Sequence, residues 1–229
     1  MSSAQKIIKY CAIAFAVFLI VSIFSGITYG VLGIVTAGNL ISDNSTVESK
    51  CENTNEQCLQ VNLAMSALYI KKGDSFKVET KNDKVNVKED GNALVITENG
   101  RHVFESYQDR EVTIYIPDEL EFVKVAISGG AGSIYVEKLK VKELEMSLGI
   151  GATTVNSLDA ESAKISAGIG EVSINLAKNA ENYEIKADKG IGDIMLNGQS
   201  VPGDSVIGSG SHKITISGGI GSINITTAE

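Results

Sequence analysis

A short glycine motif recurs through the second half of the chain and restricts the folds open to it. Five Gly-x-Gly triplets begin at intervals of 19, 19, 22 and 29 residues. Apolar and polar residues alternate on both sides of each triplet, which is the period of a strand with one buried face. The repeat therefore predicts short strands joined at glycine turns, and its structural glycines are Gly130, Gly132, Gly149, Gly151, Gly168, Gly170, Gly190, Gly192, Gly219 and Gly221.

A unit of 19 residues fits one coil of a β-solenoid. It is too short for a four-stranded propeller blade and has no helical period. If coils stack in chain order, equivalent residues lie about 4.8 Å apart, as in a parallel sheet. The predicted fold class is therefore all-β, a single-strand-stacked β-solenoid resembling a parallel β-helix, over residues 61–229. The middle residues of the triplets would form an aliphatic column at the corner, made of Ala131, Ile150, Ile169, Ile191 and Ile220.

The two ends of this predicted solenoid differ. Residues 61–116 contain short alternating runs at 76–80, 84–88, 93–97 and 112–116, which we interpret as one coil plus antiparallel strands that cap the N-terminal end. Such a cap matters because an open sheet edge promotes aggregation. At the other end, the strand at 223–226 has no capping element after it in the sequence. It predicts an uncovered edge able to accept a strand from a partner or a second copy.

These residues resemble a known family. The recurring unit I-S-x-G-x-G-x-[IV]-x-[VI], preceded by KKGDSFKVET and VNVKEDGNALVIT, is similar to the bacterial "putative adhesin" family of β-strand repeat domains of unknown function. The similarity covers roughly residues 61–227 and rests on structural glycines and core aliphatic residues. It implies a bacterial envelope protein, and no catalytic residue belongs to the pattern.

The N-terminal segment has the composition of a membrane anchor. Lys6 and Lys9 are followed by a long uncharged apolar stretch, and about 20 such residues are enough to cross a bilayer. We expect a cytoplasmic segment at 1–9, a transmembrane helix at 10–41 in contact with the lipid bilayer, and the remainder outside the cell membrane. The alternative is a signal peptide cleaved after Ala37, although the apolar run exceeds the usual signal length. Ser22, Gly26 and Gly30 form a small-residue stripe for helix contact.

Residues 42–60 are polar and predict a linker that carries two cysteines. Cys51 and Cys58 are the only cysteines outside the predicted membrane helix, so a disulfide between them is expected in an exported domain. Zinc is not expected here, because the two histidines, His102 and His212, are remote in sequence.

Other chemistry has little support. The net charge of −8 argues against nucleic acid as a partner. Glu171 and Asp193 occupy the position after the triplet in successive repeats, so chain-order stacking would bring them close enough to form an acid/base pair or bind a cation. A solvated acidic edge is the commoner reason for such a pair. We expect no catalytic residue, no metal and no cofactor.

The functional expectation is a membrane-anchored, extracytoplasmic binding or structural module of the bacterial envelope, an adhesin without catalysis. Outward polar residues on the flat faces, among them Ser133, Tyr135, Thr154, Ser173 and Asn175, suit contact with a cell-wall glycan, a surface protein or a membrane protein. One alternative is an envelope-stress or signalling accessory protein that acts on a membrane partner. Another is a surface scaffold that self-associates as a homo-oligomer through the C-terminal solenoid edge.

Overall fold

A computed structural model describes residues 58–90, 92–99 and 110–229 of the chain, all within one compact unit. The predicted membrane helix at 10–41, its stripe of Ser22, Gly26 and Gly30, and Cys51 lie outside the described residues. Within the described ranges, no helix is long and apolar enough to cross a membrane. The first strand begins at Cys58, inside the segment predicted as a linker.

The described residues form thirteen strands of one sheet and a short 3-10 turn. The strands are β1 (Cys58–Leu63), β2 (Ala67–Lys72), β3 (Lys77–Thr80), β4 (Val85–Asp90), β5 (Ala93–Glu98), β6 (Glu111–Ile116), β7 (Phe122–Val136), β8 (Leu139–Asn179), β9 (Tyr183–Ile191), β10 (Ile194–Leu196), β11 (Gln199–Ser200), β12 (Ser205–Ile207) and β13 (His212–Ala228), with the 3-10 turn at Ala180–Asn182.

The 19-residue repeat is one coil of a solenoid, as predicted. β7 pairs in parallel with β8 from Phe122 opposite Val141 to Val136 opposite Val155, a constant offset of 19 residues. Both strands run through their glycine triplets without interruption. Each coil therefore presents two flat faces that meet at a glycine corner. We call the strand residues before the corner the first face and those after it the second face.

The N-terminal end is capped, but its coils do not follow chain order. β1 and β2 form a coil that pairs in parallel with β7. The coil outside it consists of β5 and β6, which pair in parallel with β1 and β2. Beyond these, β4 covers β5 and β3 covers β6, both antiparallel. The predicted antiparallel cap is confirmed. Along the chain, the inner coil of β1 and β2 comes first, the cap strands β3 and β4 follow, and the coil of β5 and β6, which lies between them in space, comes last.

The C-terminal end corrects the prediction of chain-order stacking. The last strand, β13, lies between β8 on one side and β9 and β10 on the other. Ile220, for example, pairs with Ile169 of β8 and with Ile191 of β9. The final segment of the chain is therefore an interior coil, and the coil that precedes it in sequence is the outermost one.

The uncovered C-terminal edge predicted at 223–226 is consequently wrong. Ile223 and Ile225 have partners on both sides, Val172 and Ile174 in β8 and Ile194 and Leu196 in β10. The edge of the outermost coil is itself covered, since β11 pairs antiparallel with β10 and β12 pairs antiparallel with β9. Both strands lie in the 29-residue interval between the last two glycine triplets. A scaffold that joins through the strand at 223–226 is therefore excluded by its pairing.

Columns of aliphatic residues fill the interior. In register across the first face lie Ile127, Met146, Ile165, Ile216 and Ala187, and each is at most 3% exposed. Because every coil contributes side chains to the same columns, burial increases with each coil added. The core is thus continuous along the described solenoid.

Candidate functional site

The glycine corners form a close-packed backbone stack. The second glycine of each triplet has a positive φ, between +140° and +147°. A Cβ placed on Gly170 would lie 1.7 Å from the carbonyl oxygen of Gly151 in the adjacent coil. Only glycine permits this approach, because both the φ and the contact exclude a side chain. At the second position of each triplet, glycine therefore permits the close packing of adjacent coils at the corner.

The middle residue of each triplet projects outward from this corner. The predicted aliphatic column exists, but its order is Ala131, Ile150, Ile169, Ile220 and Ile191, because β13 is inserted between β8 and β9. The four isoleucines are 50–69% exposed, whereas most of the aliphatic residues in the strands beside them are buried. We call Ile150, Ile169, Ile220 and Ile191 the isoleucine ridge.

The first face carries ion pairs and a serine column. Lys124 Nζ lies 3.1 Å from Glu143 Oε1 and 3.6 Å from Glu145 Oε2, and the pKa of Lys124 is raised, first by its hydrogen bond with Glu143. Next to the corner, Ser128 pairs with Ser147, and Ser166 pairs with Ser217. The charges on this face largely neutralise one another, so it offers short hydroxyls and no strong field.

The second face carries a cluster of tyrosines at its N-terminal end. Tyr69 and Tyr135 are paired across adjacent coils, with ring centroids 6.3 Å apart. Lys71 Nζ lies 5.2 Å from the centroid of the Tyr69 ring, within the range of a cation–π contact. Asn156 Nδ2 donates to the Tyr135 hydroxyl at 2.7 Å. These contacts fix the half-buried rings in place while leaving part of each at the surface.

Amides and hydroxyls continue the second face beyond the tyrosines. Tyr135 is in register with Thr154, and Ser173 is in register with Asn224. Asn224 Nδ2 donates to Glu171 Oε1 at 3.2 Å, and the Thr226 hydroxyl donates to Asn175 Oδ1. The residues predicted to face outward, Ser133, Tyr135, Thr154, Ser173 and Asn175, all lie on this face and none is buried. The structure thus brings them onto one surface.

A lysine cluster borders the tyrosines. Asp118 Oδ1 accepts from Lys138 Nζ at 3.1 Å, and Asp118 also pairs with Lys72. The hydrogen bonds from Lys72 and Lys138 lower the pKa of Asp118. Lys140 pairs with Glu121 at 3.0 Å. Since each of these lysines has an acidic partner, the shallow depression they line has little net charge to hold an anion.

The proposed acid/base or cation pair of Glu171 and Asp193 does not form. Glu171 is in register with Ser222 of β13, and Ser222 in turn separates it from Asp193, since Ile194 pairs with Ile223. The inserted coil places the two carboxylates two strand spacings apart, about 10 Å. Asp193 instead lies 4.0 Å from Lys189 Nζ. Only the expected closeness of the two carboxylates is overturned, because it assumed that coils stack in chain order.

His212 occupies a position with many side-chain contacts. Its Nδ1 lies 2.8 Å from the carbonyl oxygen of Ala160, and its Nε2 lies 3.3 Å from Lys178 Nζ. Lys178 also pairs with Asp159 at 2.6 Å, and the fully buried Tyr183 ring packs against the imidazole. Burial raises the pKa of the Tyr183 phenol. This cluster ties β9 and β13 to β8, and His102 lies outside the described residues.

Glu98, which the sequence patterns did not single out, completes a corner that lacks glycine. Its Oε2 accepts from the backbone N–H groups of Ala64, Met65 and Ser66 at 2.8–3.0 Å, and its Oε1 accepts from the Ser66 hydroxyl. Burial raises the pKa of Glu98, but these hydrogen bonds outweigh it and the pKa falls below the ordinary value. A lone acidic residue at the end of an alternating strand, E-N-G in sequence, is the only signal of this role.

The predicted disulfide stays a prediction. Cys58 is the first residue of β1 and its side chain is half-buried, while Cys51 lies outside the described residues. Cys58 pairs in register with Ala93 and Lys124 on the first face. A bridge would therefore attach the preceding segment to that face.

Comparisons with known proteins agree with this architecture. The chain is similar in structure to a putative cell adhesion protein from Clostridium sporogenes ATCC 15579, with 21% identity, a TM-score of 0.63, and coverage of 80% of this chain and 97% of that one. A putative adhesin from Bacteroides fragilis NCTC 9343 matches with 13% identity and a TM-score of 0.34 over 80% of this chain and 96% of that one. A search of curated proteins finds no match.

The likeness to the Clostridium protein shows the solenoid fold. A family model described as Toastrack DUF4097 matches residues 42–229, most of the chain. The chain therefore belongs to the Toastrack family DUF4097.

Proposed function

We propose that this protein is a non-catalytic adhesin of the bacterial cell envelope, held to the membrane by residues 10–41, whose second face binds cell-wall glycan. The observation that carries the proposal is the continuous outward surface in which Tyr69 and Tyr135 lead into a column of amides and hydroxyls. The printed name of the structural neighbour from Clostridium sporogenes, a putative cell adhesion protein, supports it.

The chemistry of this face matches that of a sugar polymer. A sugar ring has an apolar C–H side, which packs on the face of a tyrosine, and hydroxyls, which need both donors and acceptors. Tyrosine provides an apolar ring with a polar tip, while asparagine, serine and threonine side chains provide donors and acceptors together. The side chains recur at the strand spacing of about 4.8 Å, so a long polymer would find equivalent contacts over several coils.

Rigidity also favours binding at this face. Tyr135 is held by Asn156, and Tyr69 is held between Lys71 and Tyr135. Side chains that are already ordered lose little conformational entropy when a ligand binds. The edge strands at the two ends of the described sheet, β3, β4, β11 and β12, are only two to six residues long, and short edge strands are poor templates for strand addition. Binding by strand addition at those ends is thereby disfavoured, and the faces are left as the larger available surface.

Cosedimentation of the full chain with purified, insoluble peptidoglycan tests the proposal. We expect Tyr135→Ala and Tyr69→Ala each to weaken binding by about tenfold, the size of one lost aromatic contact. Lys164→Ala, an exposed change on the first face, is the matched control and should leave binding unchanged. Equal binding by the wild type and both tyrosine variants, or no binding by the wild type, would contradict a glycan-binding second face.

A further inference from the structure

The isoleucine ridge has no role in the core. Its four side chains are 56%, 50%, 51% and 69% exposed in the order Ile150, Ile169, Ile220 and Ile191. Isolated exposed aliphatic residues are common, but a contiguous apolar row on an otherwise polar surface marks an interaction site. The serines of the first face and the polar side chains of the second face lie on either side of it. The ridge is therefore an apolar surface that none of the described residues covers.

The shape of the ridge restricts what can cover it. Each isoleucine stands between two glycines, so a trough of bare backbone runs along each side of the row. The corner is rigid, because a Cβ on Gly170 or Gly221 would lie only 1.7 or 1.6 Å from a carbonyl oxygen of the next coil. A complementary surface needs apolar side chains repeated at the strand spacing of about 4.8 Å and narrow enough to enter a trough. The ridge of a second copy has both properties.

We propose that two copies of this chain associate through their isoleucine ridges, with the ridge of each copy seated in a glycine trough of the other. Identical side chains on in-register parallel strands interdigitate in this way in dry zipper interfaces. The contact is self-complementary and closes with a two-fold axis, as in most homodimers. It uses a different surface from the proposed glycan-binding face, so each can fail without the other.

Charge fixes the relative direction of the two copies. Asp188, Lys189 and Asp193 flank the Ile191 end of the ridge and together carry one net negative charge, and the Asp193 side chain, 4.0 Å from Lys189 Nζ, is 83% exposed. At the other end, Ile150 is flanked beyond its glycines by Leu148 and Ala152, which are uncharged. A parallel pair would place the acidic ends together, which is unfavourable. The antiparallel pair places Ile191 opposite Ile150 of the second copy and Ile169 opposite Ile220.

The exposed area sets the strength of this contact. Four partly exposed isoleucines offer much less than the roughly 800 Å² per partner of a stable interface. The dimer is thus a dissociating one that forms where the chain is concentrated. Because a weak dimer is lost during purification, covalent capture in cells is the suitable assay.

The test is photo-crosslinking of full-length chains that carry two different tags and are co-expressed in cells. The photoreactive residue benzoylphenylalanine replaces Ile191 in the first-tagged chain. We expect a product that carries both tags, with position 191 joined to the peptide around Ile150. When the second-tagged chain carries Ile150→Asp and Ile169→Asp, the yield should fall at least fivefold. With Lys164→Asp in that chain, on the first face of the same coil as Ile169, the yield should not change.

Three results would overturn the proposal: no product carrying both tags, crosslinking to a protein other than this chain, or joining of position 191 to the same peptide of the second copy. Misfolding should not cause the lower crosslinking yield, because the altered isoleucines are exposed. Unchanged melting of the Ile150→Asp and Ile169→Asp chain would establish that the lost yield comes from the surface.

Discussion

Replacing glycines by alanine at a turn and at the corners separates two costs that the structure assigns to different positions. Gly198 has a φ of +75°, and a Cβ added to it would have no atom within 4 Å, so alanine there meets backbone strain alone. Gly168 has no unfavourable φ, but its Cβ would lie 2.4 Å from the Gly149 carbonyl oxygen. Gly170 combines a φ of +147° with a distance of 1.7 Å to the Gly151 carbonyl oxygen. The three form a graded series.

The magnitudes follow from these distances. Strain at a positive φ costs about 1–2 kcal/mol for alanine, which is the whole expected effect of Gly198→Ala. In Gly170→Ala the corner must open by 1.3 Å to restore a 3.0 Å contact. Since backbone lies on both sides, the opening breaks neighbouring hydrogen bonds at about 1 kcal/mol each. Two lost bonds and the strain sum to about 4 kcal/mol, and Gly168→Ala should cost about 2 kcal/mol.

Thermal unfolding followed by circular dichroism measures the series. One kcal/mol shifts the Tm of a domain of this size by roughly 2–4 °C, so Gly170→Ala should lower Tm by about 8–16 °C and Gly198→Ala by a few degrees. If Gly170→Ala melts no lower than Gly198→Ala, the coils do not touch at their corners, and the explanation of the repeat is wrong.

Three further predictions concern buried groups. The pKa of Glu98 is lowered, so its carboxylate stabilises the fold above the ordinary pKa of 4.5, and this stabilisation is lost as pH falls through the lowered pKa. Glu98→Gln should therefore cost about 1–3 kcal/mol at pH 7. In urea unfolding, the difference in stability from the wild type should shrink below pH 4.5. The raised pKa of Tyr183 keeps its phenol neutral in the folded protein above pH 10.0, where the phenol of the unfolded chain ionises, so stability falls as pH rises beyond that value. Tyr183→Phe should abolish this loss of stability in thermal melts at alkaline pH. At pH 7 the same change should cost about 1 kcal/mol. Ile225→Ala at a 1% exposed site should cost about 2–5 kcal/mol, whereas Ile220→Ala on the ridge should stay within about 0.5 kcal/mol; equal effects in denaturant titrations would contradict the assigned burial.

The local features of the fold could be predicted from the sequence, because they depend on residues that are close together in the chain. Alternation and paired glycines specify strands and corners, and the constant 19-residue interval between Gly130, Gly149 and Gly168 specifies parallel stacking of adjacent coils. The outward positions of Tyr135 and Asn175 follow from the same alternation. These parts of the site were therefore predicted correctly.

The order in which the coils stack could not be predicted from the sequence, because any two equivalent coils can pair along their edges. Ile220 fits beside Ile169 as well as Ile191 does, so the repeat itself cannot distinguish the two orders. The deciding element is the segment between β10 and β13, whose short antiparallel strands β11 and β12 pair with β10 and β9 and so occupy the outer side of that coil. Its glycine, proline and serine residues are typical of a loop, so they do not identify these strands. Because β13 is inserted in this way, Glu171 does not lie next to Asp193, and the strand at 223–226 is not an open edge.

The interior position of β13 is the claim on which the functional argument depends, because it leaves only short antiparallel strands at that edge of the sheet and so favours binding at the faces and the ridge. Native-state amide hydrogen exchange of the full chain tests it most directly. With β13 between β8 and the outer strands β9 and β10, the amides of Ile223 and Ile225 should be protected as strongly as those of Val172 and Ile174, and more strongly than those of β11 and β12. If β13 exchanges first among the described strands, it lies at an open end, and the interior position assigned to it is contradicted.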